Sequence, residues 1–270
     1  MSTPITLSIA GSDSGGGAGI QADIKAISAT GGYACTVITA TTAQNTLGVT
    51  DVHPIPLAHI EAQLDAVFTD LNIQAVKIGM LADSDIIKVV AKKLRQYQPK
   101  HVVLDPVMVA TSGDMLLQDS AIETLKTELL PLVTVITPNL PEAAALLGCD
   151  TPTSQEAALA LIPALKLLPT AAVLLKGGHL ADTAESVDWL ITQEQMISYA
   201  SPRIETKNTH GTGCTLSSAL ASFLAQGFDL PSATQQAKEY ISQAIAHADQ
   251  LDIGQGHGPV NHFYTFAQRS

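Results

Sequence analysis

The turn "THGTGCT" (Thr209–Thr215) places two glycines and a cysteine at the predicted start of a helix. Gly211 and Gly213 permit backbone angles that other residues avoid, so the first N–H groups of the helix can point outward. Together with the positive end of the helix dipole, these groups form an anion hole suited to a phosphoryl group in transfer. The same field favours the thiolate of Cys214, which predicts a proton acceptor there. A small buried thiol that only fills a gap is the alternative.

Charged side chains follow three other predicted strands. Asp105 comes directly after "HVVL", and Lys176 ends "AAVLLK". Glu142 stands three residues after Asn139 in "TPNLPEA". A carboxylate at a strand end suits Mg²⁺, and an ammonium there suits a nucleotide phosphate. The simpler interpretations are a turn cap for Asp105, a helix start for the Asn–Glu pair and a solvent-facing loop for the lysine. Their joint occurrence with an anion hole favours phosphoryl transfer from a magnesium–ATP complex.

A glycine-rich loop, "GSDSGGGAG", follows the first predicted strand. It lacks the Gly-Lys-Ser/Thr of a P-loop, and the acid that a dinucleotide-binding fold carries about twenty residues further on is absent. Asp23 lies in the first turns of the helix that follows. One interpretation is a favourable interaction with the positive helix N-terminus. The other is a carboxylate that holds a substrate hydroxyl or amine.

These residues need a scaffold that brings strand ends together. Short β-rich runs alternate with amphipathic helical stretches, which predicts a mainly parallel sheet covered by helices on both faces. Ligands of such sheets bind beyond the carboxyl ends of the strands. No linker, repeat or low-complexity tract interrupts the pattern, so we expect residues 1–270 to form one α/β domain. The strand pair over Tyr33–Pro54 predicts a small β flap that shields the site from water.

Composition argues against several other classes of protein. There are 14 basic residues against 25 acidic ones, and the net charge of −11 disfavours a nucleic-acid partner. The most apolar long stretch, 157–175, is interrupted by Pro163, Lys166 and Pro169, so we expect no membrane span. The three cysteines are far apart, and the first basic residue is Lys25. These two features predict a reduced, cytoplasmic protein with neither disulfides nor a signal peptide.

Motifs spread in order from Ile5 to Phe263 resemble those of one kinase family. They read "AGSDSGGGAGIQADIK", "TAQNT", "VKIGML", "LDPVMVATSGD", "TPNLPEA", "LLKGGH", "HGTGCTLSSA" and "GHGPVNHF". By these motifs the chain is identified as a member of the hydroxymethylpyrimidine/phosphomethylpyrimidine kinases of thiamine biosynthesis, which belong to the ribokinase-like superfamily. The resemblance implies a ribokinase-like fold, a homodimer, and ATP with Mg²⁺. It implies phosphorylation of 4-amino-5-hydroxymethyl-2-methylpyrimidine and then of its monophosphate, giving the diphosphate.

The resemblance also implies roles for individual residues. The positions that match the family's pyrimidine contacts are Gly11, Asp23, Gln44, Met80 and Val107. The positions that match phosphate, metal and anion-hole residues of the superfamily are Lys176, Asn139, Thr209 and Thr212 for the nucleotide, Asp105 and Glu142 for hydrated Mg²⁺, and Gly211, Gly213 and Cys214 for catalysis. Gln44 suits its role chemically, because an amide both donates to and accepts from an aminopyrimidine edge. Met80 and Val107 would supply apolar walls, with ordinary core packing as their simpler interpretation.

Cys214 occupies the position that carries an aspartate general base in ribokinase-like and many pyridoxal kinases. A cysteine there is characteristic of the pyrimidine-kinase branch. Phosphoryl transfer through a loose transition state asks little of a base, so we expect Cys214 to help without being indispensable. One departure from the family is Gly15, where its first loop often has a second serine. That difference bears only on fine substrate contacts.

Three other functions are compatible with parts of the sequence. A pyridoxal or pyridoxine kinase shares the fold, although Gln44 together with Cys214 favours the pyrimidine. A hydrolase with Cys214 as nucleophile needs an oriented base, for which adjacent His210 is the candidate. A non-catalytic ligand-binding regulator would have a degraded phosphate site, whereas Lys176 and the Gly-Thr-Gly turn are intact.

Overall fold

The computed structural model describes residues 3–108, 119–178, 180 and 184–266. Val109–Asp114 and His179, which belong to two of the quoted motifs, lie outside the described residues. The strands are β1 (Ile5–Asp13), β2 (Tyr33–Asn45), β3 (Gly48–Pro54), β4 (Ala75–Ile78), β5 (His101–Leu104), β6 (Val135–Ile136), β7 (Ala172–Lys176), β8 (Glu185–Thr192) and β9 (Met196–Pro202).

Within the described ranges these strands form one sheet in the order β3-β2-β1-β4-β5-β6-β7-β8-β9. The run from β2 to β7 is parallel throughout. β3 pairs antiparallel with β2 at one edge, and β8 and β9 continue antiparallel at the other. The predicted mainly parallel sheet is therefore confirmed, and its parallel strands end at the same edge.

Helices cover both faces of the sheet. They are α1 (Gly19–Ala29), α2 (Leu57–Asp70), α3 (Ser84–Tyr97), α4 (Asp119–Thr124), α5 (Leu140–Leu147), α6 (Gln155–Ala160), α7 (Ile162–Leu165), α8 (Thr212–Ala225) and α9 (Leu230–Ala246). Helices α2 to α7 enclose one apolar core, while α1, α8 and α9 enclose the other. Side chains alternate along each strand, so Val76 and Ile78 pack in the first core and Ala75 packs in the second. None of the helices formed by the described residues combines the length and hydropathy needed to cross a bilayer.

The flap is smaller than the predicted range Tyr33–Pro54. β2 pairs with β1 from Tyr33 to Ile38 and again at Thr41 and Thr42, so most of it belongs to the central sheet. Only the end of the hairpin, from Ala43 to Asp51, extends beyond β1, with a bulge at Ala43–Gln44. The parallel pairing of β2 explains the difference, because a strand paired within the central sheet cannot also be a free flap.

Candidate active site

A cavity of about 850 Å³ opens at the carboxyl ends of the parallel strands. Its walls come from the loops after β1, β4, β5, β6 and β7, from the β2–β3 hairpin, and from the start of α8. This is the position that strand-end reasoning predicts for a ligand of a parallel sheet.

The structure brings nearly all the predicted site residues together around this cavity. Those that line it are Gly11, Gln44, Met80, Asp105, Val107, Asn139, Glu142, Lys176, Thr209, Gly211, Thr212, Gly213 and Cys214. Asp23 is the exception and does not line the cavity. Residues that are far apart in sequence therefore meet in one place, as phosphoryl transfer requires.

The start of α8 lies open to the cavity. Its N-cap, Gly211, has a φ of 79°, and a Cβ there would lie 1.9 Å from the carbonyl oxygen of Gly17. Only glycine therefore fits this turn. No side chain of the described residues caps the helix, in contrast to α5 and α9, which Asn139 and Asp229 cap. The predicted anion hole thus has the geometry of an uncapped helix N-terminus facing a cavity.

Lys176 and Asp105 form an ion pair against this helix start. The distance from Lys176 Nζ to Asp105 Oδ1 is 2.9 Å, and Thr137 donates a hydrogen bond to the same oxygen at 3.0 Å. A Cβ on Gly213 would lie 3.3 Å from both Asp105 Oδ2 and Lys176 Nζ. Lys176 is therefore paired with a carboxylate at the cavity wall, and it is not the solvent-facing loop lysine of the simpler interpretation.

Both members of this pair are charged at neutral pH. Burial opposes the charge of Asp105, but the Lys176 and Lys77 ammonium groups outweigh it and hold the pKa of Asp105 below its ordinary value. Burial also opposes the charge of Lys176, and here the Asp105 and Glu142 carboxylates raise its pKa above the ordinary value. The site thus presents a fixed cation and a fixed anion to whatever enters.

Asn139 and Glu142 begin α5 with a capping box, as the simpler interpretation held. Asn139 Oδ1 accepts from the Glu142 N–H at 2.9 Å, and Glu142 Oε2 accepts from the Asn139 N–H at 2.8 Å. Burial raises the pKa of Glu142, Lys176 opposes that rise, and Asp105 adds to it. Both residues also line the cavity, so the cap does not exclude a second role.

The donor set fits Mg²⁺ held mainly through water. The described residues contain no cluster of three or more His, Cys, Asp or Glu side chains placed to bind a metal directly. Asp105 and Glu142 both line the cavity, and one oxygen of Glu142 is occupied by the capping box. Mg²⁺ commonly takes one or two carboxylates, several waters and substrate phosphates. The residues present are compatible with that arrangement.

Cys214 does not behave as its helix position predicts. Burial raises the pKa of the half-buried Cys214 thiol to about 11, although Lys77 acts in the opposite direction. Asp23 and Asp105 add to the rise. The expected thiolate is therefore wrong for this structure, because desolvation and two carboxylates outweigh the Lys77 ammonium and the Gly19 N–H, which lower the pKa.

Asp23 lies below the cavity, so the prediction that it contacts substrate is wrong for this structure. Its carboxylate and the Lys77 ammonium are both fully buried, and Lys77 Nζ lies 2.8 Å from each Asp23 oxygen. Ser8 and Ser218 donate to the same carboxylate at 2.5 and 2.7 Å. These four hydrogen bonds occupy the group that was expected to hold substrate. Lys77, which sequence reasoning missed, lines the cavity in its place.

A second pair missed from the sequence joins the glycine loop to the start of α8. His210 Nε2 lies 2.9 Å from Asp13 Oδ2, and the Asp13 carboxylate also accepts from the N–H groups of Gly15, Gly17 and Ala18. Burial opposes the charge of Asp13, but His210 and these amides lower its pKa. Because this ring nitrogen of His210 contacts Asp13, the structure gives no support to His210 as a base for Cys214.

The family of the chain follows from its similarity to known proteins. It matches the family described as phosphomethylpyrimidine kinase over residues 13–261. The chain belongs to this family. It is 52% identical to the hydroxymethylpyrimidine/phosphomethylpyrimidine kinase of Salmonella typhimurium, over 96% of this chain and 97% of that protein. The resemblance stated from the motifs is confirmed.

Two further comparisons extend the similarity of this phosphomethylpyrimidine kinase family member. The thiamine biosynthesis bifunctional protein of Geobacter sulfurreducens is 49% identical over 95% of this chain and 51% of that longer protein. The ADP complex of Bacillus subtilis pyridoxal kinase has a TM-score of 0.90 and 36% identity, covering 98% of this chain and 99% of that one. The ribokinase-like fold is thus shown, and the chain is a kinase. Membership of this kinase family argues against the two other functions, a hydrolase and a non-catalytic regulator.

Proposed function

We propose that this kinase transfers a phosphoryl group from ATP to the hydroxyl of 4-amino-5-hydroxymethyl-2-methylpyrimidine, and then phosphorylates the monophosphate to the diphosphate for thiamine diphosphate biosynthesis. One observation carries the proposal. The Lys176–Asp105 pair lies at the uncapped start of α8, on the wall of the same cavity that the Gln44 amide lines. The names of the Salmonella and Geobacter relatives support the substrate and the pathway.

In this proposal the start of α8 and Lys176 stabilise the transferring phosphoryl group. The N–H groups beside Gly211 and Gly213 would donate hydrogen bonds to its oxygens and stabilise the charge that develops there. The Lys176 ammonium would act as a point charge. Asn139, Thr209 and Thr212 would contact the nucleotide; all line the cavity on this side. The ADP complex of the Bacillus subtilis pyridoxal kinase supports ATP as the donor.

At the other end of the cavity we propose a pyrimidine pocket. Gln44 would bind the aminopyrimidine edge, and its side-chain oxygen lies 3.1 Å from the Thr42 hydroxyl, which restrains the amide. Gly11 leaves room for Met80, because a Cβ on Gly11 would lie 2.6 Å from the Met80 methyl carbon. Met80 and Val107 would form the apolar walls. Asp23 would act only indirectly, by holding Lys77 at the cavity floor.

Asp105 and Glu142 would hold hydrated Mg²⁺ in this proposal. The metal, when bound with ATP, neutralises phosphate charge. Asp105 is the better placed of the two, because Lys176 and Lys77 keep it ionised in spite of burial. Glu142 would take part through the carboxylate oxygen that does not accept from the Asn139 amide.

The proton of the acceptor hydroxyl would leave without a preformed base. The hydroxyl oxygen bonds to the γ-phosphorus as the bond to ADP breaks, and its proton passes to a phosphoryl oxygen. A Cys214 thiol with a pKa of about 11 stays protonated at neutral pH, so it would orient the hydroxyl instead of removing its proton. A loose transition state makes this sufficient, because little proton transfer is needed before the phosphoryl group moves.

We further propose that residues 1–270 form one kinase domain that works as a cytoplasmic homodimer. Leu47 and Val52, on the β2–β3 turn and on edge strand β3, are 69% and 37% exposed, which supports this edge of the sheet as the dimer contact. The free thiols of Cys35, Cys149 and Cys214 support a reducing compartment. Sedimentation equilibrium tests the assembly, and a monomer at micromolar concentration would contradict the dimer.

ADP release measured with separate acceptors tests the proposed function. We expect ATP- and Mg²⁺-dependent turnover with hydroxymethylpyrimidine and with its monophosphate, and none without an acceptor. Pyridoxal is the matched comparison, because the Bacillus subtilis neighbour bears that name. Turnover on pyridoxal with none on either pyrimidine would overturn the proposal in favour of a vitamin B6 kinase.

A further inference from the structure

We propose that the buried Asp188–Lys238 ion pair positions Lys176 by fixing the backbone amide of Gly177. The inference deepens the proposed function and rests on it, since it takes Lys176 to bind nucleotide phosphate. Asp188 belongs to β8 and Lys238 to α9, and both line the cavity. Neither has a role in the chemistry described above.

The contacts run in a chain from α9 to the strand that carries Lys176. Lys238 Nζ lies 2.8 Å from Asp188 Oδ2, and the two side chains are only 8% and 7% exposed. The other oxygen, Asp188 Oδ1, accepts from the Gly177 N–H at 3.0 Å. Ser186 lies 3.3 Å from the ammonium, so the lysine is fixed from two sides. The carboxylate thus bridges a helix and a backbone amide.

Gly177 is the residue through which this contact acts. It follows Lys176 directly, and Lys176 itself pairs with Asp188 across the β7–β8 ladder. The Lys176 N–H donates to the Pro138 carbonyl at 2.8 Å, so the backbone is held on both sides of the lysine. A Cβ on Gly177 would lie 2.1 Å from the Val187 carbonyl oxygen, which leaves no space for a side chain. The direction of the Lys176 side chain therefore depends on these two amide contacts.

The stability of the ion pair does not by itself explain its place at the cavity wall. Removing two charges from water costs about as much as their attraction returns, so a buried pair adds little net stability. An apolar pair of similar volume would fill the same space. Such an apolar pair would not supply a hydrogen-bond acceptor for the Gly177 amide. A carboxylate or carboxamide oxygen supplies one.

Two double variants separate the acceptor from the charge. Asp188→Asn/Lys238→Met removes both charges but keeps an oxygen for the Gly177 amide, whereas Asp188→Leu/Lys238→Met removes the oxygen as well. We expect kcat/KM for ATP of the leucine variant to lie about tenfold to a hundredfold below that of the asparagine variant, because a small misplacement of a binding group costs this much. The KM for the pyrimidine should be the same in both.

ADP affinity, measured by calorimetry, gives a readout that does not depend on the acceptor substrate. We expect the leucine variant to bind ADP more weakly than the asparagine variant, while thermal unfolding shows both folded. Asp65→Asn/Lys93→Met is the matched control, because Lys93 Nζ lies 2.6 Å from Asp65 Oδ1 in a pair remote from the cavity. Its ADP affinity should equal that of the wild type.

Equal ADP affinity and equal kcat/KM in the two double variants would overturn the positioning role. If the leucine variant does not fold, Asp188→Ala/Lys238→Met replaces it: weaker ADP binding than in the asparagine variant supports the role, and equal ADP affinity overturns it. A wild-type enzyme that binds ADP but phosphorylates neither pyrimidine would contradict the proposed function alone. The two failures are therefore distinguishable.

Discussion

Two of the lysine–aspartate pairs at this end of the sheet, Lys77–Asp23 and Lys176–Asp105, have different surroundings. In the Lys77–Asp23 pair both side chains are fully buried, and two serine hydroxyls complete the shell of the carboxylate. In the Lys176–Asp105 pair the lysine is 14% exposed, and the pair faces the first turn of α8. The first pair has no exposed surface, with Lys77 held by Asp23 at the cavity floor, whereas the second pair is partly exposed; we call them the closed and the open pair. The same two residue types thus support the fold in the first pair and, in the proposed function, take part in phosphoryl transfer in the second.

The difference teaches that access, more than charge, separates the two roles. Both lysines have a raised pKa although burial opposes it, and both act on the pKa of Asp105. Both lysines line the cavity, but the Lys77 ammonium is enclosed by its contacts with Asp23, whereas Lys176 is partly exposed and more open to exchange with a ligand. Changes in the closed pair should therefore appear as lost stability, and changes in the open pair as lost turnover.

Lys77→Met should have the largest effect, on stability. It leaves the Asp23 carboxylate buried without its cation, and breaking one partner of a buried pair costs about 3–5 kcal/mol. Urea unfolding followed by circular dichroism measures the change. Asp23→Asn/Lys77→Met is the matched control, because it removes both charges and should recover most of the loss. If Lys77→Met is as stable as the wild type, the buried Asp23 carboxylate does not need the Lys77 ammonium for its stability, and this account is contradicted.

Lys176→Met tests the open pair, and its main effect should be on turnover. We expect kcat to fall by about 10²- to 10³-fold, the range for removing one donor that stabilises developing charge. Stability should fall less than in Lys77→Met, because Lys77 and the Thr137 hydroxyl still stabilise the Asp105 carboxylate. Steady-state ADP release and thermal unfolding on the same sample measure both quantities. Lys92→Met, on an exposed part of α3, is the control, and a similar loss of kcat there would contradict the assignment.

Asp13→Asn should have an intermediate effect that depends on pH. Folding lowers the pKa of Asp13, so its stabilisation is present above the unfolded pKa and is lost as the pH falls through the lower folded value. At pH 7 we expect a loss of about 1–3 kcal/mol, the range for hydrogen bonds to a charged group. The gap to the wild type should begin to narrow below about pH 4, near the ordinary aspartate pKa, and close as the pH falls through the lower folded pKa. Exposed Asp51→Asn is the control, and a gap independent of pH would contradict this account.

The outline of the fold could be predicted from the sequence because local patterns determine it. Leu57–Asp70 and Ser84–Tyr97 form helices, and their apolar spacing and flanking residues are local signals in the sequence. The rule that ligands bind at strand ends then placed Asp105 and Lys176 at the cavity. Neither step needs knowledge of distant contacts.

The pairs within the site could not be predicted, because their partners are far apart along the chain. Lys77 lies 54 residues from Asp23, and His210 lies 197 residues from Asp13. The depth of a side chain below the surface is likewise not indicated by its neighbours in the sequence. For this reason Asp23 was expected to contact substrate and Cys214 to be a thiolate. A signal did exist for Lys77: a lysine within the four-residue strand "AVKI" is rarely buried unless paired.

Cys214→Ala should have the smallest effect, and its pH profile decides what the thiol does. With a pKa raised to about 11 by burial, the thiol stays protonated from pH 7 to 9, so kcat of the wild type should be flat across that range. We expect the variant to be slower by about tenfold or less, well below the 10²–10⁴ of a general base, with a parallel profile. A wild-type kcat that rises tenfold per pH unit, with the rise absent from Cys214→Ala, would identify the thiolate as the base. Cys214→Asp extends the test: a carboxylate should slow the charged monophosphate more than the neutral alcohol, because like charges repel.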